Sequence, residues 1–125
     1  MPLPPTDALV LPLDGPADRP LDRPDRLTEA FAARLAAVRR HLHANPEVGT
    51  REVETVRFIR AVLEANGLRP HGPIAGTGLF VDVEGRAPGR RVGYRADIDA
   101  LPIQDAKAVP YASQCPGVAH LCGHD

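Results

Sequence analysis

At 125 residues with a net charge of −1, the chain fits at most one domain and has no charge excess to draw it to nucleic acid or an anionic membrane. Hydrophobic residues make up 43%, an ordinary globular share, and no apolar run nears the roughly 20 residues that span a bilayer. Residues 1–20 lack the basic start and long apolar core of a secretory leader. A cytoplasmic location is therefore expected, where Cys115 and Cys122 are thiols rather than a structural disulfide.

Residues 1–24 carry Pro2, Pro4, Pro5, Pro12, Pro16, Pro20 and Pro24. Proline lacks an N–H and restricts its predecessor, so a disordered leader without chemistry is expected there. Asp25 is a candidate N-cap. Leu27, Phe31, Leu35, Val38 and Leu42 then recur at helical spacing, with alanines between them raising helix propensity, until Asn45-Pro46 ends the run. A second helix is expected from a cap at Thr50, with Glu52 and Glu54 in its first turn. Val53, Val56, Ile59 and Leu63 form its expected buried stripe, with Val62 at the edge, and Asn66-Gly67 stops it.

Strand chemistry follows. Residues 79–84 alternate, with Leu79, Val81 and Val83 on one face. After the loop 85–89, residues 91–96 read as a second strand, and the short Gly/Pro connection predicts an antiparallel pair. Two helices on one face of a mixed sheet make this an α/β protein. Asp97 and Asp99 fall where that strand ends, a common place for functional groups in open α/β sheets, although from the residues alone a solvated turn capped by Asp99 is the favoured explanation. Residues 103–118 show no period, and a loop of that length is usually functional or disordered.

The last residues hold the densest chemistry. His120, Cys122 and His124 with Asp125 supply imidazole, thiol and carboxylate, the donors a borderline-soft metal takes. Extended backbone would turn Cys122 and His124 to the same side. Zinc usually takes four ligands, so this site is expected to be incomplete within 125 residues. His41, His43 and His71 are expected to be structural, and Cys115 a small buried apolar residue.

Three segments resemble the M20 amidohydrolases, the aminoacylase, hippurate hydrolase and indole-acetyl-amino-acid hydrolase group. Residues 39–47, RRHLHANPE, resemble the family's opening Arg-Arg-x-Leu-His-x-x-Pro-Glu. Residues 94–104, YRADIDALPIQ, match its Arg-Ala-Asp-x-Asp-Ala-Leu-Pro segment. Residues 116–125, PGVAHLCGHD, match Pro-Gly-x-Met-His-Ala-Cys-Gly-His-Asp, with Ala119 where the family usually has Met and Leu121 where it has Ala. The extra bulk of Leu121 is expected to press on the ligand stretch.

The resemblance implies the N-terminal part of a three-layer α/β/α zinc-peptidase-like catalytic domain over residues 25–125, without the lid domain. It implies Cys122 and His124 as ligands of a centre with two divalent ions, zinc or manganese, and Asp97 as an orienting carboxylate beside them. The general base is a Glu that lies beyond residue 125. The implied substrate is an N-acyl amino acid or a related small amide, with no nucleic-acid or membrane partner, and homo-oligomerisation of the full-length form is left open. Two other readings stand beside this one: a truncated, non-catalytic product of the same ancestry with an incomplete metal site, and an unrelated protein using Cys115 and Cys122 for thiol chemistry.

Overall fold

The computed structural model describes residues 29–85 and 87–123; the expected leader, the cap at Asp25, Leu27 and His124 lie outside the described residues. Helix α1 spans Glu29–Ala44. It stops at Asn45, whose backbone N–H donates to the carbonyls of His41 and Leu42 at 3.2 and 3.1 Å and whose side-chain Nδ2 donates to the His41 carbonyl at 2.8 Å. These bonds satisfy carbonyls that the last turn of a helix leaves open.

Helix α2 spans Val53–Ala65, and its start differs from expectation. Thr50 has a φ of 68° and belongs to the turn before the helix. Glu52 is the N-cap but makes no side-chain capping bond, because its carboxylate accepts from the Thr77 hydroxyl at 2.7 Å instead. The cap comes from Glu47: Oε1 accepts from the Glu54 N–H at 3.2 Å and Oε2 from the Thr55 N–H at 2.7 Å. A carboxylate at this end also complements the helix dipole.

The far end of α2 follows expectation. Gly67 takes a φ of 75°. Its N–H bonds the Glu64 carbonyl and that of Leu68 bonds Leu63, the paired closure that suits glycine at a left-handed position.

The buried face of α2 is rotated from the expected stripe. Thr55, Phe58 and Val62 are buried, whereas Val53 is 63% exposed. Apolar spacing among the aliphatic residues picked the wrong face, because Phe58 is the largest apolar group on the helix and decides which side turns inward. Phe58 and Val62 form the core with Val38 and Leu42 of α1 and Ala61 and Ala65 of α2. His41 stacks on Phe58 with ring centroids 3.9 Å apart, and burial lowers its pKa from the usual histidine value.

The sheet also differs. Strand β1 (His71–Ile74) pairs antiparallel with β2 (Gly78–Phe80). The hairpin is tight: a Cβ on Gly72 would meet the Gly78 carbonyl oxygen at 2.7 Å, and one on Gly78 would meet that of Ile74 at 2.9 Å. The expected partner, residues 91–96, forms no strand, and Val92 and Tyr94 are more than nine-tenths exposed. The segment before the turn, not the one after it, takes the edge of β2. A 3.8 Å ion pair from Arg91 to Asp82 links the two expected strands, and at the surface such a pair contributes little. The α/β character stands, but the described sheet is a two-stranded antiparallel hairpin rather than a mixed one.

Candidate functional site

The backbone gathers the three motif segments. The Ala100 N–H donates to the Glu47 carbonyl at 2.8 Å, and Val48 and Ala100 form a parallel bridge. Leu101 and Ala119 exchange two 3.0 Å bonds in an antiparallel bridge. Residues 47–48, 100–101 and 119 therefore lie side by side as a short ribbon. Ala100 and Ala119 are both buried, Ala119 completely, and each sits where a small side chain lets neighbouring backbones approach.

Asp97 and Asp99 precede this ribbon and His120 and Cys122 follow it, and all four line one hollow of about 900 Å³. Leu35, Val38 and Leu42 of α1 form its apolar wall, with Arg39 beside them. Thr55 lines it as well; its buried hydroxyl meets no partner among the described residues. Asp97 is clasped by Arg95 through both guanidinium nitrogens. His120 is buried and Cys122 exposed. Leu121, whose bulk is expected to press on the ligand stretch, is 40% exposed.

Among the described residues, no three of His, Cys, Asp and Glu stand close enough to hold an ion. His124 lies outside those residues. The donor types that line the hollow, the Cys122 thiol, the Asp97 and Asp99 carboxylates and the His120 imidazole, are nevertheless ones a divalent ion takes.

Near His120 lies a group built on His43, which the sequence marked only as structural, and on Asp105, Lys107 and Ser113, which it did not single out. His43 is 1% exposed. Its Nε2 stands 3.4 Å from Asp105 Oδ2 and 3.2 Å from Lys107 Nζ. Its ring lies 6.3 Å from that of His120 and edge-on to Tyr111, centroid to centroid. Asp105 Oδ1 accepts from the Lys107 N–H at 3.0 Å and Oδ2 from the Ser113 N–H at 2.9 Å. The Ser113 and Lys107 N–H groups, in that order, hold the Asp105 carboxyl below its usual range against the opposing effect of burial. Asp105 bonds the backbone two residues on, the habit of an aspartate in a turn, which the sequence around it does not announce.

Glu52 is likewise held below the usual carboxylate range. Burial, the largest influence, works to raise it, but the Thr77 hydroxyl and the backbone N–H groups at Glu52, Thr50 and Arg51 together outweigh that.

No family model matches the chain. The N-acetyl-L-cysteine deacetylase of Bacillus subtilis (strain 168) is 44% identical over 91 residues, covering 73% of this chain and 22% of that protein. The N-acyl-L-amino acid amidohydrolase of Geobacillus stearothermophilus is 41% identical over 100 residues, covering 80% and 27%. Among solved structures, the Bacillus subtilis YXEP protein, described as a dinuclear metal binding peptidase from the M20 family, superposes with a TM-score of 0.73 at 42% identity, over 78% of this chain and 28% of that one. This chain belongs with the M20 family. It spans about a quarter of the length of the relatives it matches. No described helix is long and apolar enough to cross a membrane.

Proposed function

We propose that this chain is the N-terminal part, over residues 25–125, of the catalytic domain of a metal-dependent amidohydrolase. The domain would have the three-layer α/β/α architecture, and the enzyme would work in the cytoplasm on N-acyl amino acids or related small amides. One observation carries the reading: the Glu47–Ala100 and Leu101–Ala119 backbone bonds draw three distant motif segments together, with Asp97, Asp99, His120 and Cys122 on one hollow.

In this reading Cys122 and His124 hold divalent metal, zinc or manganese. Such an ion, when bound, would lower the pKa of a water and polarise the amide carbonyl. The chain's own residues hold and orient. Cys122 gives a thiolate ligand, which binds a borderline-soft ion well. Asp97, fixed by Arg95, places a carboxylate at the edge of the hollow, suited to orienting a ligand or a bound water. The carboxylate that moves the proton from water to the leaving amine is a Glu outside these 125 residues. With Cys122 and His124 as its protein ligands, metal is expected to be held loosely by this chain.

Calorimetric titration of zinc into the chain and into Cys122→Ser tests the assignment. The substitution is expected to weaken binding at least about tenfold, as loss of a coordinating thiolate should. Tight binding that ignores the substitution would show that Cys122 is not a ligand.

A further inference from the structure

The segment between the two strands of the Leu101–Ala119 bridge is a closed loop, and its interior is polar. Asp105 fills one side by accepting the Lys107 and Ser113 N–H groups. Ser113 fills the other. Its hydroxyl accepts from the Cys115 N–H at 3.1 Å and lies 2.6 Å from the Val118 carbonyl oxygen, to which it donates. The loop is tied to α1 at several points: the Gln114 N–H donates to the Ala44 carbonyl at 2.9 Å, Asp105 and Lys107 meet the buried His43, and the Arg40 guanidinium lies 4.9 Å from the centre of the Tyr111 ring. Val118, held by Ser113, is followed at once by the bridged Ala119 and then by His120 and Cys122.

We propose that His43, Asp105 and Ser113 are positioning residues that set the direction in which residues 120–122 leave the bridge, and so aim the Cys122 thiol. This rests on the reading of Cys122 as a metal ligand. None of the three lines the hollow; Asp105 and Ser113 lie in the loop, and His43 meets it from α1 with its ring 6.3 Å from that of His120. The chemistry of Asp105 is specific. Both its oxygens accept from backbone N–H groups, so an asparagine there sets an NH2 donor against one of those donors. Ser113→Ala removes the acceptor for the Cys115 N–H and the donor to Val118, and leaves the volume almost unchanged.

The probe is cobalt(II) added to the 125-residue chain, read by the absorption of the thiolate–cobalt charge-transfer band. Amide deuterium exchange at Leu101 and Ala119 and circular dichroism accompany it. In Asp105→Asn and in Ser113→Ala, the cobalt concentration for half-saturation is expected to rise about tenfold, the size of loss seen when groups supporting a ligand are removed. Exchange at Ala119 should quicken while the helix signal is retained. Faster exchange with cobalt binding unchanged would make the three residues merely structural and overturn the proposal. A wild-type band that Cys122→Ser leaves intact would overturn the metal reading instead, and this inference with it. Should Asp105→Asn lose its helix signal, the milder Ser113→Ala decides by the same criteria.

Discussion

Glu47→Ala probes the start of α2 at the one side chain that caps it. The carboxylate takes the N–H groups of Glu54 and Thr55 at 3.2 and 2.7 Å, while Glu52 contributes no capping bond. Loss of a helix cap costs about 1 kcal/mol, and loss of a negative charge from a helix N-terminus about 0.5 kcal/mol more. Glu47→Ala should therefore destabilise the chain by about 1.5 kcal/mol, against the few kcal/mol available to a domain of this size. Glu47→Gln keeps one acceptor and loses the charge, so about half that cost is expected. The assay is urea unfolding followed by circular dichroism. With a slope of about 1 kcal/mol per molar urea, the midpoint should fall by about 1.5 M for the alanine variant and by about half as much for glutamine. An alanine midpoint within about 0.2 M of the parent, at unchanged slope, would refute the assignment of Glu47 as the cap. Glu47→Gln as damaging as Glu47→Ala would refute the division between bond and charge.

Phe58→Ala empties the centre of the small core, where Phe58 is 3% exposed, and should cost about 3 kcal/mol; a loss below about 1 kcal/mol in the same urea assay would mean that α1 does not pack on this face. Asp105 is held below its usual pKa in the folded chain, so on acidification the unfolded state takes up its proton first and stability falls. That contribution is fully present above the ordinary aspartate value near 3.8 and is lost as pH drops through the lower folded value. Urea midpoints from pH 5 to pH 2.5 should show Asp105→Asn declining less steeply than the parent, and parallel curves would remove the ionised carboxylate from the account.

Local signals marked the helices because their ends use short-range chemistry. Asn45-Pro46 and Asn66-Gly67 announced both C-termini. The start of α2 was missed because its cap lies several residues upstream, in Glu47, and sequence spacing shows only nearby partners. The stripe of α2 was misplaced because counting aliphatic residues gives Phe58 no extra weight, although its ring settles the face. Residues 91–96 have a strand's alternation, but alternation states a preference and not a partner, and β1 holds the edge of β2. In the site, Asp97 and Cys122 were legible as residue types and do share one hollow. His43 was read as structural, and its buried contacts with Asp105 and Lys107 are among those on which the positioning proposal rests. Asp105 and Ser113 were not legible, because their roles depend on a loop closed by a bridge between residues far apart in the chain.

The bond from the Glu47 carbonyl to the Ala100 N–H also bears on the order of folding. The helix ends and the hairpin close through nearby residues, which is fast. Joining residue 47 to residue 100 must first overcome the entropy of a long intervening loop, and such non-local pairings slow a chain down. The helices and the hairpin should therefore form first and the site assemble last. Because loop entropy grows only logarithmically, lengthening the exposed stretch near residues 87–90 by a dozen residues should cost roughly 0.2 kcal/mol. The site would take shape somewhat later but would hold together nearly as well.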